Sequence, residues 1–587
     1  MHFCKPGHEG RNLTGSWRRG LFFGEDKRSG RKGLEKEGWN SGQEIPTADR
    51  LAQEVIHRLL QGENLWQILG EHPDLALPDD PALRERLTRF AALVQDIDRR
   101  IEDSEEIEAL RHALGAGYVS AGPSGYISRG RYDILPTGRN FYNVDPTRIP
   151  TQAAYRVGVK LAEALLQRFR REENRYPETV GMVWLASDIM RADGEQIGQI
   201  LHLLGAKPVW QANGQVKGFE IIPLEELGRP RIDVNIRVSG ITRDCFPDAV
   251  KYVDRVIQAV ALCQEPPEQN YLRRHLLGQA REQQLSLEDQ GHIRRLTYRI
   301  FCAQPGVYRA GVNLAVYASA WQTEHDLSDV YLFWNGYAYG ADGFGVQAHQ
   351  ELMANLGRVE VTFDKHISDE GEFLDCCGYF SNYGGMTAAV KAISGHTPKT
   401  YYGDTRDPAN IAVTDFAEEM RRVVRAKLLH PKYIEGLKAH GYKGAGDLSK
   451  RIGRVYGYGA TTGQVDNWIF DEIAQTFVLD KDMQEWFDQV NPWALEEIAR
   501  RLLEAASRGI WQPEPDLLEK LQEVYLQIEA RLEDTMGEVS GDFQGGAVDV
   551  MTAADVASWQ AALDQVLGPR ARPGKGKRDE GKKPVPA

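Results

Sequence analysis

The stretch "SDEGEFLDCCGYFSNYGG", residues 368–385, brings Asp369, Glu370, Glu372, Asp375, Cys376 and Cys377 close together, and "VTFDKH" just upstream adds Asp364 and His366. Imidazole, carboxylate and thiolate together suit a borderline first-row metal ion such as cobalt, nickel or zinc. Imidazole and carboxylate are also serviceable proton acceptors near neutral pH. No standard metal spacing is present, so a charged surface loop with His366 packed at a strand end is the competing reading. The six cysteines, at 4, 245, 263, 302, 376 and 377, form no C-x-x-C pair. That removes zinc-ribbon and thioredoxin-like readings and favours small buried thiols.

Such a loop needs elements to hold it. At 587 residues the chain is too long for one ordinary core. Residues 1–45 are Gly-rich, charged and without apolar periodicity, which predicts disorder or residues translated from an upstream start. Residues 46–115 repeat apolar side chains at helical spacing, as in "LRERLTRFAALVQDIDRRI". A long Gly/Pro/Ser-rich loop follows, and Tyr126, Tyr132, Arg139, Phe141 and Tyr142 mark it as an ordered ligand or interface loop.

Two α/β blocks are expected next, 116–280 and 281–414, in which buried runs such as "TVGMVWLAS", "RIDVNIRVSG" and "RVEVTFDKH" alternate with helical ones. That alternation predicts Rossmann-like, mostly parallel sheets with ligands at the carboxyl ends of the strands. Ser187, Asp188, Asp193 and Glu195 would then lie at one strand end, and Ser239, Arg243 and Asp244 at another. Helix capping is the competing explanation for Asp193 and Glu195. The opening loop follows directly on "RVEVTFDKH", again at a carboxyl end. Residues 415–567 read as helical, and 568–587 as a disordered basic tail.

A net charge of −13 argues against a nucleic-acid footprint. No apolar window is long enough for a membrane span, and the N-terminus lacks the apolar core of a secretory signal, so a cytoplasmic location is expected. No G-x-x-x-x-G-K-[ST], G-x-S-x-G or H-E-x-x-H occurs, so ATP hydrolysis by a phosphate loop is not expected of this chain. Glycine beside Tyr and Trp in "FWNGYAYG" and "RVYGYGATTGQVDNW" suits close approach to a large planar ligand, or aromatic core packing.

The motifs "LPTGRNFYNVDPTRIPT", "GEQIGQILHLLGAKPVW", "IIPLEELGRPRIDVNIRVSGITRDCFP", "RIFCAQPGVYRAGVNLAV" and "HPKYIEGLKAHGYKGAGDLSKRIGRVYGYGATTGQVDNWIFDEIAQTFVLD" resemble the family of large subunits shared by aerobic-type cobaltochelatase (CobN) and magnesium chelatase (its H-type component). The resemblance runs over roughly residues 110–535. "DCCGYFSNYGGM" and "YYGDTRDP" are closer to the cobalt branch.

The resemblance implies a tetrapyrrole metal insertase acting on Co2+ and hydrogenobyrinic acid a,c-diamide in cobalamin synthesis. Mg2+ with protoporphyrin IX, or a non-catalytic tetrapyrrole-binding protein, are the alternatives. It also implies an AAA+ ATPase subunit and a metal-adhesion-type subunit, the two partners that handle Mg-ATP. Family large subunits are about twice this length, so a separate N-terminal half is a further expected partner. On this reading His366, Glu370 and Glu372 are catalytic, and His366, Asp369, Glu370 and Asp375 deliver the metal. Arg139, Tyr142, Arg243, Tyr308 and Tyr339 bind the substrate. The family often has His before the glycine pair, where this chain has Tyr383.

Overall fold

The computed structural model describes residues 47–72, 80–122, 132–139, 144–368, 372–408, 410–536 and 552–568. The chain divides into two compact units, Met1–Asp145 and Pro146–Ala587. In the first, helices Thr47–Leu60, Leu65–Gly70, Pro81–Glu102 and Glu106–Leu114 follow the apolar spacing. Val55, Leu59, Leu65, Ile68 and Val94 form its small core. Asn64 and Asp80 cap two of these helices by accepting from the backbone N–H groups of Trp66 and Ala82. Residues 116–145, grouped above with the first α/β block, belong to this unit. The expected disordered segments, 1–45 and the tail beyond Gly568, lie outside the described residues.

The second unit holds strands β1 (Thr179–Trp184), β2 (Ala206–Trp210), β3 (Val216–Ile221), β4 (Asp233–Val238), β5 (Ile300–Cys302), β6 (Tyr337–Gly340), β7 (Gly343–Gln347), β8 (Val361–His366), β9 (Lys399–Asp404) and β10 (Ala412–Asp415). Eight of them form one sheet in the order β10-β9-β8-β1-β4-β5-β6-β7, and β2 and β3 form a separate antiparallel pair. The central five, β9-β8-β1-β4-β5, are parallel. The two expected blocks are therefore one sheet, because β8 of the second hydrogen-bonds beside β1 of the first. From β1 the chain steps outward through β4 and β5, then returns to the opposite side of β1 as β8. The strand order thus reverses between β1 and β8, and open α/β sheets bind ligands in the crevice at that point.

All six residues of β1, "TVGMVW", are buried, as a parallel strand covered on both faces requires. Helix Gln152–Glu173 packs across helix Glu195–Leu204 so tightly that a Cβ at Gly158 would collide with the Glu195 carbonyl. Beyond β10 the chain is helical, and its long helix Gly441–Thr462 packs on Pro492–Ser507. Arg501 and Arg508 tie this region to the α/β layer by donating to the carbonyls of Val316 (3.2 Å) and Trp321 (2.7 Å). Helix Ala553–Leu567 returns to helix Glu324–Asn335, with Trp559 stacked 6.3 Å from Phe333 and edge-on 5.3 Å from Trp334. Phe333 and Trp334 of "FWNGYAYG" are therefore partly buried by this packing. No helix among the described residues is long and apolar enough to cross a membrane.

Candidate functional site

Strand β8, "VTFDKH", is buried at all six positions although half of it is ionisable. Side chains alternate across a strand, so Lys365 faces one side of the sheet while Asp364 and His366 face the other. Lys365 Nζ lies 2.6 Å from Asp188 Oδ1 and 2.9 Å from Glu195 Oε2, both contributed by the chain just after β1. These carboxylates do more than cap a helix. Burial drives the Lys365 pKa down, and the two carboxylates outweigh it and keep the ammonium charged. Burial and the excess of negative charge raise Asp188, with Lys365 opposing.

On the other face Asp364 accepts one hydrogen bond through Oδ1, from the backbone N–H of Lys365 at 2.8 Å. Its Oδ2 is buried without a hydrogen-bond partner. Burial pushes this carboxyl up to about 7. His366 Nε2 sits 2.5 Å from Glu419 Oε1. Arg422 grips the same carboxylate through Nε (2.8 Å) and Nη2 (2.6 Å). Burial would raise Glu419, but the bonds from Arg422 and the close contact with His366 bring it down to about 2.

Aromatic rings wall this face. Tyr402, the register partner of Asp364 on β9, lies 4.6 Å from the His366 ring, and Phe373 lies 5.8 Å from it. Phe416, Tyr383 and Tyr458 continue the wall. Burial first, and Asp364 among the other causes, raises the hydroxyls of Tyr383, Tyr402 and Tyr458 well above their usual value, so they stay neutral.

From Glu372 onward the opening loop is a stapled structure. Glu372 accepts from the backbone N–H of Leu374 at 2.9 Å, and Asp375 from that of Glu372 at 2.7 Å. Arg451 of helix Gly441–Thr462 contacts both carboxylates, and Arg454 donates to the Leu374 carbonyl at 2.6 Å. The loop then enters a π-helical turn, Phe380–Gly384, in which a Cβ at Gly384 would collide with Thr461. Such turns recur at functional sites. Tyr383 is fully buried in this turn, with its hydroxyl donating towards the carbonyls of Thr362 (3.5 Å) and Tyr401 (3.4 Å).

The residues expected from sequence are thus only partly brought together. His366 is at the site. Asp369, Glu370 and Tyr142 lie outside the described residues. Glu372 and Asp375 are committed to Arg451, and among the described residues no three His, Cys, Asp or Glu side chains converge as a metal site. Arg243 is 1% exposed and spends its guanidinium within the chain, on Asp244 and on the carbonyls of Ala303, Gln304 and Val307. Tyr339 donates to the Ala303 carbonyl at 2.6 Å. The packing of these two residues gives them a role in shaping the loop after β5. Tyr308 is exposed beside Arg243, and Arg139 is exposed in the first unit.

The CobN/Magnesium Chelatase family profile matches residues 10–518. The chain belongs to that family. An uncharacterised protein of Methanocaldococcus jannaschii is 52% identical over 78% of this chain and 37% of its own length. The aerobic cobaltochelatase subunit CobN of Pseudomonas aeruginosa is 40% identical over 72% of this chain and 34% of its own. Among solved structures, the catalytic subunit of cobaltochelatase from Mycobacterium tuberculosis superposes with a TM-score of 0.71 at 36% identity, covering 85% of this chain and 42% of that one. The chain spans about a third of the length of the curated relatives it matches.

Within this CobN/Magnesium Chelatase chain, sequence reading passed over Lys365, Glu419, Arg422 and Arg451. Lys365 carried a signal, since a lysine amid Asp and His in a strand of a doubly covered sheet must have buried partners. Arg451 carried none, because its carboxylates lie more than seventy residues away in sequence.

Proposed function

We propose that this chain forms the tetrapyrrole-handling core of an ATP-dependent cobaltochelatase, inserting Co2+ into hydrogenobyrinic acid a,c-diamide. The cobalt choice is supported by the relatives named as cobaltochelatase subunits. The observation that carries the reading is the unpartnered Oδ2 of Asp364, buried beside His366 at the reversal of strand order. Placing a divalent ion in a macrocycle releases two pyrrole protons, so the site must supply acceptors in a water-poor setting. A carboxyl poised at about 7 has the basicity for that task at neutral pH. His366, backed by the Glu419 carboxylate, is the second acceptor. The neutral tyrosines and Phe373 pack against one another beside this pair and keep water from it.

Nucleotide energy would come from AAA+ and metal-adhesion-type partner subunits, since no phosphate-loop motif occurs in this sequence. Asp369 and Glu370 remain candidates for metal delivery by their sequence alone.

The test mixes the purified chain with those partner subunits, ATP, Co2+ and hydrogenobyrinic acid a,c-diamide, and follows absorbance. A parallel arm contains Mg2+ and protoporphyrin IX. Insertion in the cobalt arm is expected. Turnover only in the magnesium arm would reassign the metal, and no spectral change in either arm would overturn the reading.

A further inference from the structure

The rings that wall Asp364 are buried against one another, so a flat ligand must meet its open aromatic face elsewhere on the same edge of the sheet. In the strand order β8-β1-β4-β5, the loops after β4 and β5 leave that edge two and three strands away from β8. Neighbouring strands lie about 4.8 Å apart, which puts these loops roughly 10–15 Å from β8, within reach of one large ring and its side arms. Ligands of open α/β sheets bind along this carboxyl edge.

Tyr308, in the loop after β5, is 58% exposed, yet its ring is held in place. It lies against the start of helix Gly240–Cys245, where a Cβ at Gly240 would come within 2.6 Å of the ring. The Arg243 guanidinium lies 5.5 Å from the ring of Tyr308 and 5.5 Å from that of Tyr339. Asp244, gripped by Arg243, faces the Tyr308 hydroxyl and raises it, so the phenol stays neutral. Ile241 is exposed next to Gly240, and the exposed Pro305 sits against Gly345 of β7. A ring fixed in this way loses little side-chain freedom when a ligand covers it.

We propose that the Tyr308 ring is the platform on which one face of the tetrapyrrole stacks, with Ile241 and Pro305 as its apolar border. The proposal rests on the tetrapyrrole reading above and adds the side chain that meets the conjugated plane. Arg243 and Tyr339 serve by holding that side chain in place. Offset stacking favours a flat conjugated partner beyond what the buried area alone supplies.

The experiment titrates the full chain with metal-free deuteroporphyrin IX and follows the shift of its main absorbance band. Tyr308→Phe should keep most of the wild-type affinity. Tyr308→Leu and Tyr308→Ala should both bind about tenfold more weakly, the equivalent of one aromatic stack. Tyr442→Ala, which removes an exposed tyrosine from helix Gly441–Thr462, should bind as the wild type does. Thermal melting separates loss of the stack from loss of the fold. In the wild type, bound porphyrin should also protect Tyr308 from nitration by tetranitromethane, mapped by mass spectrometry, while Tyr442 stays reactive. A folded Tyr308→Ala or Tyr308→Leu with wild-type affinity, or equal nitration of Tyr308 with and without porphyrin, overturns the proposal and leaves the tetrapyrrole reading standing. So does an equal loss in Tyr442→Ala, which would mean that porphyrin adsorbs on any open aromatic side chain. A wild type that binds no porphyrin overturns both.

Discussion

The same sheet buries an aspartate near each end, and the two are treated in opposite ways. At the amino end of β4, Asp233 takes bonds from Arg299 through Nε (2.8 Å) and Nη2 (3.2 Å), and its Oδ2 lies 2.8 Å from His275 Nδ1. Burial would raise this carboxyl, and Arg299 and His275 hold it far below its usual range. Near the carboxyl end of β8, Asp364 has a single backbone donor and an orphaned oxygen, and it is pushed up to about 7. A satisfied buried carboxylate is a structural part. An unsatisfied one costs stability and keeps reactivity, which is why such groups gather at sites of chemistry.

The largest effect should follow from breaking the satisfied end. Arg299→Met leaves Asp233 buried without its main cation, and urea unfolding should register a loss of about 3–5 kcal/mol. The unsatisfied end should respond in the opposite sense. With a folded value raised above the unfolded one, Asp364 binds its proton more tightly in the native state. Stability attributable to it therefore falls as pH rises from about 4 to about 7 and is level above that. Asp364→Asn should remove roughly 2–4 kcal/mol of that decline, measured as the wild-type minus variant difference at pH 4.5 and pH 8. A difference that does not change with pH would mean that the two aspartates are equivalent.

The smallest effect belongs to His275. Burial lowers it, but its contacts with Asp233 and Glu178 raise it overall, within a group that also includes Arg299 and Arg274. A histidine raised on folding stabilises fully below about 6.5, and that contribution is lost as pH climbs through its folded value. His275→Gln should cost about 1 kcal/mol at pH 6 and less at pH 9 by thermal melting. An equal loss at both pH values would mean that the imidazole acts by packing alone.

The contrast between the two ends was only half visible in the sequence. Strands β1, β4 and β8 stood out as buried runs between helical segments. Their assembly into one sheet did not, because pairing β8 with β1 depends on a return crossover that no local pattern encodes. Helix Gln152–Glu173 also went unread, since it follows a loop whose glycines and prolines dominated that region. At the site, His366 was readable from its type and its place at a strand end. Asp188 and Glu195 were legible as strand-end carboxylates, but not as the partners of Lys365. In the acidic loop the hold on Glu372 and Asp375 was not legible, because Arg451, which contacts both, comes from a helix far along the chain.

Initial rates of Co2+ insertion by the assembled subunits, compared between Asp364→Asn and His275→Gln at a temperature where both are folded, test the central claim most directly. The account predicts a fall of about a hundredfold or more for Asp364→Asn, as for loss of a general base, and a near wild-type rate for His275→Gln. Equal rates for the two variants would contradict it.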